Sequence, residues 1–218
     1  AAAQQDDIHE QEQDTLYIGI DVARFGDDET IIAPRVGMKV FDLQRYTKQD
    51  TMATSGWAIR TAKDLEKRFP SVSRVKLVVD DTGIGGGVTD RVREIVREEN
   101  LKHWDIIPVN NGERAFDEHY ENRGTECWAI LRDILEKNFS GHLQGAPKSI
   151  SLPDDDRLIA QLSNRKYRMT SRGKIVLESK PDMKARGLPS PDRADAVVLA
   201  FASNQGSPVK IRAKSVGR

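Results

Sequence analysis

From Thr15 onward the chain alternates short apolar runs with polar, glycine-rich punctuation. LYIGID (16–21), ETIIA (29–33) and KVFDLQRY (39–46) have the length and β-branched or aromatic content of strands. RFGDD and PRVG separate them as turns, which predicts consecutive antiparallel hairpins. The period then lengthens. Ala58, Ala62, Leu65 and Phe69 recur at helical spacing and predict a helix over 51–69. VKLVVD (75–80) is a fourth strand, apolar enough to be central, and DIIPV (105–109) a fifth. Val88, Val92, Ile95 and Val96 mark a second helix, and Cys127, Ile130, Leu131, Ile134 and Leu135 a third. The predicted order is β-β-β-α-β-α-β-α: an α/β fold with a mixed sheet flanked by helices.

The remainder has a different texture. Residues 141–153 read as loop and DRLIAQLS (156–163) as a short helix. YRMTSRGKIVLES (167–179) predicts a hairpin turning at Arg172–Gly173. A loop rich in Lys, Arg and Pro leads into a last helix, whose apolar face is Ala194, Val197, Val198 and Phe201. Residues 1–14 are polar and aperiodic, a disordered linker or expression remnant. Residues 15–202 form the domain, and 203–218 a basic flexible tail.

Composition narrows the class. The 218 residues are enough for one sizeable core, and 31% charged side chains predict a heavily charged exterior. No apolar run approaches the roughly 18 residues of a membrane span. A single cysteine, Cys127, excludes an internal disulfide, and four scattered histidines give no zinc-ligand spacing. Net charge is zero but unevenly distributed. Residues 1–138 hold 27 acidic and 19 basic side chains, whereas 139–218 hold 7 and 15. The basic density peaks between Arg165 and Arg193, which suits either a solvated surface or an anionic partner such as nucleic acid.

Three aspartates fall at comparable places. Asp21 ends the first strand, Asp80 ends the fourth before DTGIGGG, and Asp195 lies in the first turn of the last helix. Ligands collect at the carboxyl ends of parallel strands, so adjacent parallel strands one and four would bring Asp21 and Asp80 together. Carboxylates meeting in one cleft repel unless cations lie between them, and hard oxygen ligands suit Mg²⁺ or Mn²⁺. Two such ions about 4 Å apart suit in-line phosphoryl displacement. Each acid also has a structural explanation, as a turn cap or a first-turn helix acid, and Asp81 and Asp192 are neighbours that could serve instead. The glycine run lacks the lysine and hydroxyl of a phosphate loop. Its glycines instead let the chain turn tightly off strand four.

GIDVARFGDDETII, VVDDTGIGGGVTD and ESKPDMKARGLPSPDRADAVVLAF, in that order, resemble the C-terminal nuclease domain of the terminase large subunit of tailed bacteriophages. The resemblance implies an RNase H-like fold with an added β-hairpin near the active site. It implies an endonuclease that uses two divalent ions, Mg or Mn, to cut concatemeric viral double-stranded DNA during genome packaging, with little sequence specificity. Asp21, Asp80 and Asp195 match the family's catalytic, metal-binding acids, with Asp21 expected to bridge both ions. Lys180 and Arg186 match positions that approach DNA or order a loop. Together with Arg168, Arg172, Lys174 and Lys184 they form the expected DNA-binding set. Implied partners are a packaging ATPase domain, the portal protein and the small terminase subunit, with no membrane, in the host bacterial cytoplasm and outside the virion. No Walker motif occurs in these residues, so the chain resembles a nuclease domain separated from its ATPase. Alternatives are a Holliday-junction resolvase-like nuclease, a catalytically silent DNA-docking module and an actin-like phosphotransferase.

Overall fold

The computed structural model describes residues 15–23, 28–146 and 149–202. The expected linker (1–14) and tail (203–218) lie outside these. The chain runs β1 (Thr15–Asp21), β2 (Thr30–Val36), β3 (Lys39–Val40), β4 (Gln44–Tyr46), α1 (Thr51–Arg68), β5 (Arg74–Asp80), α2 (Gly85–Glu98) and β6 (Trp104–Val109). It continues through α3 (Arg123–Leu143), α4 (Asp156–Asn164), β7 (Tyr167–Met169), β8 (Ile175–Leu177), α5 (Lys180–Ala185) and α6 (Asp192–Phe201). The main sheet has the order β3-β2-β1-β5-β6, with β4 also on β2. β1 pairs antiparallel with β2 and parallel with β5, and β6 continues the parallel half. The predicted α/β class and mixed sheet are therefore present.

Two of the sequence expectations need correction. KVFDLQRY is not one strand. Lys39–Val40 pairs with Arg35 and Val36, whereas Gln44–Tyr46 pairs with Thr30–Ile32 in a register offset by one residue. The interruption faces Pro34, which has no N–H to give the ladder, and Phe41 donates to the Pro34 carbonyl before the strand resumes. The Lys/Arg/Pro-rich loop contains a helix, α5. The Ser179 hydroxyl accepts from the Asp182 N–H and Pro181 occupies its first turn, both start signals.

Alternation along the strands builds two cores. Leu16, Ile18, Ile20, Leu77 and Val79 face α1 and α2, meeting Ala58, Ala62, Val88 and Val92. The opposite face, with Ile31, Ala33, Val78 and Ile107, packs against α3 and α6 through Leu131, Ile134, Val197 and Phe201. Gly19 lies on that second face. A Cβ there would stand 2.1 Å from the Ala196 carbonyl oxygen and 2.6 Å from the Ala200 nitrogen, so α6 crosses β1 at backbone contact.

Candidate active site

The pleat that buries Ile20 and Val79 against α1 and α2 turns the next residue of each strand to the other side. β1 and β5 are parallel neighbours with Ile20 opposite Val79, so Asp21 and Asp80 emerge together at their carboxyl ends, on the α6 side. α6 begins at this same end. Asp192 and Asp195, three residues apart, share its first-turn face. The close approach at Gly19 lowers that face onto Asp21. All three predicted acids thus line one cleft of about 510 Å³, together with Trp128, Arg165 and Lys180. Hollows of about 640 and 650 Å³ elsewhere are larger, but neither gathers these three acids.

Lys180, the first residue of α5, reaches into this cluster. Its ammonium lies 3.1 Å from Asp195 Oδ2, 3.3 Å from Asp192 Oδ1 and 3.6 Å from Asp21 Oδ2. Burial alone would weaken its hold on a proton, but the pull of Asp21, Asp195 and Asp192 outweighs this and raises its pKa. Asp21 is almost fully buried, at 3% exposure. Burial pushes its pKa well above the usual carboxylate range, with Asp195, Asp192 and Asp80 adding to the rise and Lys180 opposing it. Burial also raises Asp80, against hydrogen bonds from Thr82.

Each acid is held differently. Asp80 accepts from the Thr82 N–H on Oδ1 and from the Asn111 amide on Oδ2, both at 2.9 Å. Asp192 accepts from the Ser190 hydroxyl and the Glu29 N–H. Asp195 Oδ1 accepts from Trp128 Nε1 and from the Arg165 guanidinium, each at 2.8 Å. For Asp21 the only attractive side-chain partner among the described residues is Lys180. The neighbouring Asp81 is instead taken up locally by the Thr89 hydroxyl at 2.7 Å.

These donors are of the chemistry that holds hard divalent ions. Among the described residues no three His, Cys, Asp or Glu side chains stand ready-placed around a cation. The cluster instead surrounds the Lys180 ammonium, so the residues present answer to positive charge at their centre. Positive charge is what a divalent cation would also supply to these oxygens.

The expected DNA-binding residues divide into two groups. Arg168 projects from β7 into the cleft and has no ion-pair partner among the described residues. Lys174 follows the hairpin turn. Arg172 pairs with Glu121, Lys184 lies 3.5 Å from Asp28, and Arg186 is clamped by Glu178 at 2.6 and 2.7 Å. Lys180 sits among the acids. Sequence reasoning missed Trp128, Arg165 and Asn111. Asn111 had a detectable signal, since it follows the third parallel strand. Trp128 had none, being one more apolar residue on an amphipathic helix.

No protein-family model matches the chain, and neither does any curated protein. Solved structures do. The nuclease domain of the large terminase subunit gp2 of bacterial virus Sf6 matches with a TM-score of 0.76 at 21% identity, over 94% of this chain and 96% of that one. A lysine-to-alanine mutant of that domain, with manganese and β-thujaplicinol, matches with a TM-score of 0.76 at 20% identity over the same shares. The large terminase nuclease of thermophilic phage G20c with bound magnesium matches at 0.52 and 18% identity, over 85% of this chain and 79% of that one. The chain therefore has the RNase H-like fold of the nuclease domains of phage large terminase subunits.

Proposed function

We propose that this chain is a divalent-metal-dependent endonuclease that cuts concatemeric viral double-stranded DNA during genome packaging, with little sequence specificity. The observation that carries the proposal is the convergence of Asp21, Asp80 and Asp195 on one cleft at the carboxyl ends of parallel strands, with the Lys180 ammonium held there by Asp21, Asp192 and Asp195. The structural neighbours crystallised with manganese and magnesium support the choice of ions. Two such ions, when bound, supply the positive charge that activates a water and stabilises the leaving oxygen of an in-line displacement.

The chain's own residues do the rest. Asp21, the most buried acid, sits between the others and offers both oxygens once Lys180 withdraws. Asp80 is fixed by Thr82 and Asn111. Arg168 and Lys174 hold phosphates from the hairpin without reading base edges. Lys180 keeps the acids neutralised until DNA and metal arrive together. As a nuclease of this fold, the chain would act in the host cytoplasm beside a packaging ATPase domain, the portal protein and the small terminase subunit.

Supercoiled plasmid incubated with Mg²⁺, Mn²⁺, Ca²⁺ or EDTA tests this. Nicking and linearisation are expected with Mg²⁺ and Mn²⁺ and not with EDTA. Asp21→Asn, Asp80→Asn and Asp195→Asn should each lose at least two orders of magnitude in rate while remaining folded. Wild-type nicking by Asp21→Asn would overturn the assignment, and cutting confined to four-way junctions would redirect it to a resolvase.

A further inference from the structure

Asp195 differs from the other acids in what already occupies it. Its Oδ1 takes two donors, the Trp128 indole N–H and the Arg165 guanidinium, both at 2.8 Å. The guanidinium also lies 4.7 Å above the Trp128 ring. The Arg165–Asp195 pair is nearly dry, with side chains 11% and 10% exposed. The second oxygen, Oδ2, faces the cluster and meets Lys180 at 3.1 Å. Arg165 has a further bond, from Nε to the Glu178 carbonyl at 3.2 Å. Residues 165 and 178 flank the β7–β8 hairpin, so this one side chain spans its stem and grips the acid of α6.

We propose that Trp128 and Arg165 are positioning residues that restrict Asp195 to ligation through Oδ2 and couple it to the hairpin. The inference rests on reading the acids as a metal centre. A divalent ion placed on Oδ1 would stand against a guanidinium, and like charges at that range in a nearly dry site repel strongly. Oδ2 is left as the ligating atom, aimed at the place where Asp21 also points. Asp80 has no such restriction, because its hydrogen-bond partners, Thr82 and Asn111, are neutral donors. Trp128 is thus an orienting partner of the kind that fixes a ligand's rotamer and raises its affinity for metal.

Calorimetric titration of Mn²⁺ into the wild-type chain, Asp195→Asn, Trp128→Phe and Arg165→Gln, with metal-free melting temperatures alongside, tests the inference. Trp128→Phe keeps an aromatic ring under the guanidinium and removes the indole N–H together with the five-membered ring that carries it. It should fold as the wild type does, yet bind Mn²⁺ about tenfold or more weakly. Arg165→Gln should weaken Mn²⁺ binding similarly. Mg²⁺ should shift tryptophan emission in the wild type and not in Trp128→Phe, because Trp57 and Trp104 belong to the opposite core. If the wild type binds no Mn²⁺, or Asp195→Asn binds like the wild type, the metal-centre reading fails and this inference with it. If Asp195→Asn is impaired while Trp128→Phe and Arg165→Gln bind at wild-type affinity, the inference alone is overturned. Should Trp128→Phe not fold, Arg165→Gln decides the matter by itself.

Discussion

Asp21 is a buried carboxylate whose neighbours are mostly other carboxylates, and a single lysine balances them at 3.1–3.6 Å. In the metal-free chain its charged form is therefore unfavourable, which is what its raised pKa expresses. The sign of the consequence follows from linkage. Below the ordinary value of 3.8, Asp21 is protonated whether the chain is folded or unfolded, and it contributes no pH dependence. Between 3.8 and its raised folded value, only the unfolded chain releases the proton, so stability falls as pH rises through that interval. Asp21→Asn removes this penalty. The metal-free variant should melt a few degrees above wild type at pH 7, with the advantage vanishing below about pH 4, as followed by circular dichroism. Added Mg²⁺ should reverse the order by stabilising only the wild type. A variant that melts lower than wild type without metal would mean that Asp21 serves the fold rather than the site.

At the scale of elements, the contact between α6 and β1 decides whether the acids meet at all. Gly19 permits it, since a methyl group there would stand 2.1 Å from the Ala196 carbonyl oxygen. Gly19→Ala should cost about 1–3 kcal/mol as overpacking and push α6 away, displacing Asp195 from Asp21. Plasmid cutting well below the melting temperature should then drop more than tenfold. Gly56→Ala is the control. Gly56 lies in α1 with nothing within 4 Å of the added carbon, so the substitution should stabilise by about 0.5–1 kcal/mol and leave cutting intact. Gly19 also illustrates what the sequence could and could not convey. The periods of α1, α2 and α3 were legible because each buries one face, α6 and the strands were legible from their apolar runs, and Asp21 and Asp80 were legible because strand ends mark ligand sites. The interruption between β3 and β4 was not, because it depends on which residue faces Pro34 across the sheet. Nor were Trp128 and Arg165, whose roles arise only when α3, the hairpin stem and α6 converge on Asp195. The helix α5 was obscured by its charge, although Ser179 and Pro181 did mark its start.

At the scale of the whole molecule, a net charge of zero gives little long-range attraction for DNA, so binding must come from local cations that meet phosphates. The basic segment from Arg165 to Arg193 offers fewer of these than its composition suggests. Arg186 is engaged by Glu178, Arg172 by Glu121, Arg193 by Asp155 and Glu29, and Arg165 by Asp195. Arg168 remains, lining the cleft from β7, with Lys174 just after the hairpin turn and Lys166 just before β7. Each phosphate neutralised contributes close to one unit to the slope of log affinity against log salt on duplex DNA, so the slope counts the cations that bind. Measured by fluorescence anisotropy in Ca²⁺, the wild type should show a shallow slope, with affinity nearly independent of sequence. Arg168→Gln should lower the slope by about one and weaken all duplexes alike. Arg186→Gln should leave the slope unchanged, because its charge is already spent on Glu178 and on the carbonyl of Asn164. A slope that falls equally in both variants would mean that DNA breaks the Glu178 pair on binding, and that the hairpin stem rearranges to receive it.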